Sequence, residues 1–336
     1  MAARRGWIIV VACAAAGCEA PASMAVGSDG GPPSFSAGQK PMAGPPAHTV
    51  GGFTVTVPTM NLAPGQETTP CLIFPLVVDG PSRLVGGASL SVGPGLHHGN
   101  ITTRPKTGDG VRPCPAGPDL GPVADIGSGG AVLFGSSTQH IGDEWQHFPA
   151  GMAYRVPPDQ EIVARLHFLN ASPNPLSVTP AYRWYTVDEA SLSQELGPFA
   201  WVYDKFTIPP MSAKTITGSC SFYRPMHVVS VLPHMHRMGT RFTAGFLGGA
   251  LDGTLFLDSR GYDPDNGVLT QYDPSIDLGQ GDGATFSCTW QNTLDKALGY
   301  GIGDNEMCIL FGYAWPPANS YTATAGDGFC LPITPK

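Results

Sequence analysis

The chain has 336 residues, carries a formal net charge of −8, and is only 13% charged, against about 25% in an average soluble protein. It has no run of Lys or Arg, which argues against nucleic-acid binding. Past the leader no 18 consecutive residues are apolar, so no membrane-spanning helix is predicted. A hydrophobic share of 42% supplies a core, while 44 glycines and 34 prolines disfavour long helices and favour short strands joined by turns.

The chain opens with a targeting pattern. Arg4 and Arg5 precede a short apolar run at 7–16, too short to span a bilayer. The run ends in Ala15-Ala16-Gly17-Cys18, which resembles a bacterial lipobox. That signal implies export, lipidation of Cys18, and anchoring to the outer membrane by lipid alone, facing the periplasm or the outside. Residues 19–48 are rich in Pro, Gly, Ala and Ser and read as a flexible tether.

From residue 53 the pattern is that of strands. Residues 53–57 alternate apolar with polar, and 161–169, 228–236 and 253–258 also read as strands. Turn signals at 157–159, 264–267 and 281–283 separate them. Residues 188–196 read as a short helix. The expectation is an all-β chain of two consecutive antiparallel sandwiches, 49–197 and 198–336, divided at the least patterned stretch, 193–200. Beyond Cys18, Cys71, Cys114, Cys220, Cys288, Cys308 and Cys330 make an even set, which predicts three disulfides in an exported protein.

Nine histidines carry the chemical interest. His234 and His236 flank Met235; in a strand, residues i and i+2 share a face, so two imidazoles stand side by side as half a metal site. His97 and His98 are adjacent, and adjacent residues on a regular strand face opposite ways. Both reach one ion only at a strand end or bulge, which Gly95 and Gly99 permit. His167 lies on the predicted strand 161–169. His140 and His147 read as solvated loop positions. Carboxylates are scarce nearby, so hard cations fit poorly, and imidazoles suit copper, zinc, iron or nickel. A thioether would favour Cu(I); Met235, Met238 and Met307 are all candidates that spacing does not separate.

These residues resemble the copper type II, ascorbate-dependent monooxygenases, the family of peptidylglycine α-hydroxylating and dopamine β-monooxygenases. The resemblance rests on Cys220-Ser221-Phe222-Tyr223-Arg224-Pro225-Met226-His227-Val228, His234-Met235-His236, Phe286-Ser287-Cys288-Thr289 and Asp304-Asn305-Glu306-Met307-Cys308. It extends to Leu96-His97-His98 and Ala164-Arg165-Leu166-His167-Phe168, in the family's order. It implies two jelly-roll-like sandwiches holding two copper ions. His97, His98 and His167 would hold an electron-transfer copper, and His234, His236 and Met307 the catalytic, oxygen-binding one. His227 matches a family histidine that is not a direct ligand and is expected to orient the site. Cys71–Cys114, Cys220–Cys330 and Cys288–Cys308 are the implied disulfides.

The implied reaction hydroxylates a substrate C–H bond with O2, using ascorbate or a similar one-electron donor. The peptide-amidating branch grips its substrate carboxylate with an Arg, an Asn and a Tyr; here those positions are Leu232, Ile309 and Phe311. A buried carboxylate without a partner is expensive. The expected substrate is therefore a less polar small molecule rather than a glycine-extended peptide. The alternative is a non-catalytic copper-binding lipoprotein for storage or sensing.

Overall fold

The structure, a computed structural model, describes residues 43–115, 121–136, 141–260, 269–301, 305–317, 321–323 and 328–331. The expected leader with Cys18, residues 19–42 of the expected tether, His140 and Asp304 lie outside these residues.

The chain order is β1 (Thr49–Thr56), β2 (Met60–Leu62), β3 (Glu67–Thr68), β4 (Cys71–Pro75), β5 (Leu84–Val92), β6 (Leu96–Pro105), β7 (Arg112–Pro113), α1 (Gly121–Gly127), β8 (Val132–Gly135), β9 (Gly142–His147), β10 (Met152–Arg155), β11 (Gln160–Leu169), β12 (Leu176–Val178) and β13 (Ala181–Val187). It continues with β14 (Gln194–Tyr203), β15 (Thr207–Ile208), β16 (Ala213–Phe222), β17 (Met226–His234), β18 (Gly239–Leu247), β19 (Leu255–Arg260), β20 (Thr270–Leu278), β21 (Gly283–Gln291), β22 (Leu298–Gly299), β23 (Ile309–Trp315), β24 (Tyr321–Ala323) and β25 (Gly328–Leu331). The fold is all-β, as composition predicts. Alternation is clear in β16, whose residues run exposed, half-buried and buried by turns.

A ten-stranded sheet runs β1-β13-β5-β10-β14-β23-β17-β20, with β9 on β5 and β25 on β14. Against its first part lies the sheet β7-β4-β11-β6-β8, and against its second part β19-β18-β21-β16-β24. Between the layers sit two large cores. One is built mainly from residues of the first half, including Phe53, Ile101, Phe134, Phe168 and Trp184. The other is built from the second half, including Trp201, Phe242, Phe286 and Trp290. Two sheets buried face to face over one core are a sandwich.

The short helix expected over 188–196 is corrected to a single 3-10 turn, Glu189–Ser191, followed at once by β14. Asp188 accepts from the Ala190 amide and so starts the turn. Tertiary pairing takes the chain afterwards: β14 pairs in parallel with β10 through Met152↔Gln194 and antiparallel with β23 through Gly197↔Ala314. The weakly patterned stretch 193–200 is thus largely a strand with neighbours on both sides.

Two buried asparagines, one in each half, clasp the ends of their strands in the same way. Asn170 follows β11, accepts from the Ser172 amide, and donates to Leu62 and Asn174 carbonyls. Asn292 follows β21, accepts from the Leu294 amide, and donates to Pro209 and Lys296 carbonyls. Three disulfides join Cys71 to Cys114, Cys220 to Cys330 and Cys288 to Cys308.

Candidate metal centres

The first cluster grows from a flaw in the ladder between β6 and β11. Pairing runs Leu166↔Gly99 and His167↔His98, then skips to Phe168↔Leu96. His97 is therefore the extra residue of a β-bulge, preceded by Gly95 at φ +112°. A bulge breaks the alternation of faces, so two adjacent imidazoles turn to one side. Their Nδ1 atoms stand 3.1 Å apart. Two nitrogens about 2.0–2.1 Å from one ion, at an angle of about 100°, would have that separation. His167 closes the group, its ring centroid 4.6 Å from that of His97 and 4.9 Å from that of His98. All three offer ligand atoms within 4.8 Å of one another.

A carboxylate completes this cluster that the sequence analysis did not single out. Glu67 on β3 pairs with Leu169 and sets its Oε1 2.5 Å from His167 Nε2. A bond at Nε2 leaves Nδ1 of His167 for a ligand, the usual service a carboxylate gives a metal-binding imidazole. Only the pairing of β3 with β11, 100 residues away along the chain, brings Glu67 there.

The second cluster is set by β17, the loop after it, and the segment entering β23. His234 ends β17 and faces Ile309 across the ladder. Met307 lies two residues before Ile309, and His236 two after His234. The His234 and His236 rings are 5.2 Å apart, nearly perpendicular. His236 Nδ1 lies 2.6 Å from the Asn305 carbonyl, so its Nε2 is the atom available to a metal. Glu306 is fully buried and fastens the two segments together. It accepts from the His236 amide, the Met238 amide and the Trp290 indole, each at 2.8 Å. Burial raises the Glu306 pKa above the usual carboxylate value, against the pull of these donors. It too was missed in sequence, although it stands in the quoted motif.

Of the three methionines, Met235 and Met238 belong to the second-half core. Met307 is only partly buried and packs with Leu232, Ile309 and Phe311 in a small apolar cluster. The three positions expected near a substrate thus share one apolar cluster with Met307.

The two clusters lie within electrostatic reach of each other. His98 is pushed down to about 3, first by burial and then by His167, His97 and His236. His234 is held well below the ordinary imidazole value by burial, His236 and His98. Both are neutral near pH 7, as a ligating imidazole must be. Imidazoles suit copper among other transition metals, and a thioether such as that of Met307 would favour Cu(I).

His227 is not brought to either cluster. It stands near the start of β17, seven residues or about 23 Å of strand from His234. There it meets Asp277 at 2.6 Å and stacks on Trp315 with centroids 3.6 Å apart. His147, expected in a solvated loop, is instead buried at the end of β9. Gly87 of the paired strand leaves room for its ring, since a Cβ there would lie 2.8 Å from His147 Cδ2.

Fold and clusters together define an all-β, disulfide-bonded protein with two imidazole-rich centres. Residues 197–325 match the family model described as copper type II ascorbate-dependent monooxygenase, C-terminal domain. The family is copper- and ascorbate-dependent. No curated protein matches the chain. Among solved structures, the infectious bursal disease virus Gx strain shares 11% identity over 87% of this chain and 78% of that one, with a TM-score of 0.19. The VP2 subviral particle of the same virus gives 11% identity, 87% and 81% coverage, and a TM-score of 0.19. Superpositions this poor bear on neither fold nor function.

Proposed function

We propose that the protein is a copper-dependent monooxygenase that hydroxylates a C–H bond of a weakly polar small molecule. What supports this reading is the gathering of three imidazoles in the first half and two in the second, with Met307 on the segment that Asn305 and Glu306 fasten to His236. Storage needs no such division. The balance is R–H + O2 + two electrons + two protons giving R–OH + H2O, with each ascorbate, or a similar donor, supplying one electron.

His97, His98 and His167 would hold one copper, and His234, His236 and Met307 the other. Bound copper supplies one-electron chemistry and affinity for O2. The chain's own residues do the rest. The bulge at His97 aims two imidazoles at one point, and Glu67 fixes the third ring. Glu306 and the Asn305 carbonyl hold His236 against the segment bearing Met307. Leu232, Ile309 and Phe311 keep the surroundings of Met307 apolar and offer no partner to a carboxylate, which disfavours a glycine-extended peptide. Export and a lipid anchor at Cys18 belong to the same reading and fit a disulfide-bonded chain.

The test is copper per chain, measured on exported, oxidised protein after excess metal is removed. Two coppers are expected, with His167→Ala losing one and His236→Ala or Met307→Ala losing the other. Ascorbate-dependent hydroxylation of apolar amines and alcohols should follow. Two tightly held coppers with no product from any compound would favour the storage or sensing alternative. No retained copper would end both.

A further inference from the structure

A cavity of about 50 Å³ lies where β8 and β9 of the first half meet β17 and β23 of the second. Its walls include Val132, Phe134, Leu232, Phe311 and Tyr313. It adjoins the second cluster directly. Leu232 shares a strand face with His234 two residues on, and the Phe311 ring centroid is 6.1 Å from that of His234. Leu232 also bridges the halves, since a Cβ on Gly135 of β8 would lie 2.6 Å from its Cδ2.

The polar inventory of the cavity is short. No Lys, Arg, Asp or Glu lines it among the described residues. The Tyr313 hydroxyl is committed to the Val132 carbonyl at 2.8 Å and the Tyr154 hydroxyl to the Thr103 side chain. Gln146 Nε2 donates to the Gly135 carbonyl. His147 is different: the residue is 8% exposed, it lines the cavity, and its Nε2 has no hydrogen-bond partner among the described residues. A buried polar atom left without a partner asks for one. Burial also lowers the pKa of this imidazole, leaving it neutral.

We propose that this cavity receives the apolar end of the substrate, a neutral group of about three or four heavy atoms that hydrogen-bonds to His147 Nε2. An anionic group would enter with no counter-charge and is excluded by desolvation. His147 is then a specificity residue lying on the half of the chain opposite to the oxygen-binding cluster. That the occupant is a substrate rests on the monooxygenase reading. The pocket and its preference do not.

Propan-2-ol and acetate make a matched pair of probes, alike in shape and differing in charge. Saturation-transfer NMR on the full exported chain should show propan-2-ol binding, with acetate at least tenfold weaker. Val132→Phe or Leu232→Phe fills the space and should abolish the transfer. His147→Phe should weaken it about fivefold, the loss of one neutral hydrogen bond. Folding of each variant is checked by near-ultraviolet circular dichroism and by its three disulfides. Equal binding of the two probes, or undiminished transfer in a folded filled variant, would overturn the pocket. An unchanged affinity in His147→Phe would overturn the role of His147. Propan-2-ol binding by a chain that retains no copper would overturn the monooxygenase reading and leave the pocket standing. Ascorbate-driven hydroxylation of a compound that does not displace propan-2-ol would do the reverse.

Discussion

Two carboxylates shape the proposed metal centres without belonging to the proposed donor sets. Glu67 is largely exposed, with 59% of its side chain accessible, so its bond to His167 contributes little to folding. Its effect falls on the metal. Glu67→Gln should lower copper affinity at the first centre by about tenfold, read by chelator competition, with thermal stability unchanged. Glu306 is the opposite case. It is fully buried and satisfies three donors on two segments. Glu306→Gln keeps the volume but turns an amide NH2 towards one of those donors. The expected result is loss of the second copper with the first retained, measured as one copper per chain in place of two. His97-His98 and His234-Met235-His236 stood out in the sequence because adjacency and i, i+2 spacing are local, whereas His167 was singled out only by the resemblance. Glu67 was not, because nothing local ties it to residue 167. Glu306 sat in a quoted motif, yet only the fold shows that its carboxylate reaches back to residues 236 and 238.

At the level of elements, polar clasps hold the strand ends. Asn292 makes four bonds from a fully buried side chain just after β21, and Asn170 makes four after β11. Asn292→Ala strands those backbone groups and should cost about 2–4 kcal/mol by urea unfolding. Asn170→Ala should cost a similar amount. Glu161, buried on β11, binds Arg104 of β6, Arg112 of β7 and both groups of Thr107. Burial alone would raise its pKa, but Arg112, Thr107 and Arg104 outweigh it and hold the carboxyl below the ordinary value. A depressed folded pKa contributes stability that is present above about 4.3, the unfolded value, and is lost as the pH falls through the folded one. Urea midpoints should therefore drop between pH 5 and pH 3 more steeply in the wild type than in Glu161→Gln. The strands themselves were readable from alternation. The 3-10 turn and β14 were misread as one helix because 188–196 carries little pattern of its own. Pairing with β10 and β23 decided its conformation.

Across the whole molecule the ten-stranded sheet runs through both halves by way of β14, and Cys220–Cys330 ties β16 to β25 over a separation of 110 residues. Closing so long a loop restricts the unfolded chain strongly. Cys220→Ser with Cys330→Ser should lower stability by about 3–4 kcal/mol in guanidinium unfolding. The loss should fall on the second core, where both cysteines are buried.

The sequence by itself determined the all-β class, through composition and alternation. It also determined the identity of six candidate donors, through short spacings and a family resemblance whose C-terminal part the family match supports. Alternation and the pairs His97-His98 and His234, His236 are carried by residues close together in the chain, while His167 and Met307 rest on the resemblance. Only the tertiary structure decided that His97 occupies a bulge, that Glu67 meets His167, and that His227 stands away from the centres. It alone buried His147 in a cavity shared by the two halves. Those facts depend on ladder register between strands far apart in sequence, where a shift of one residue changes which side chains meet.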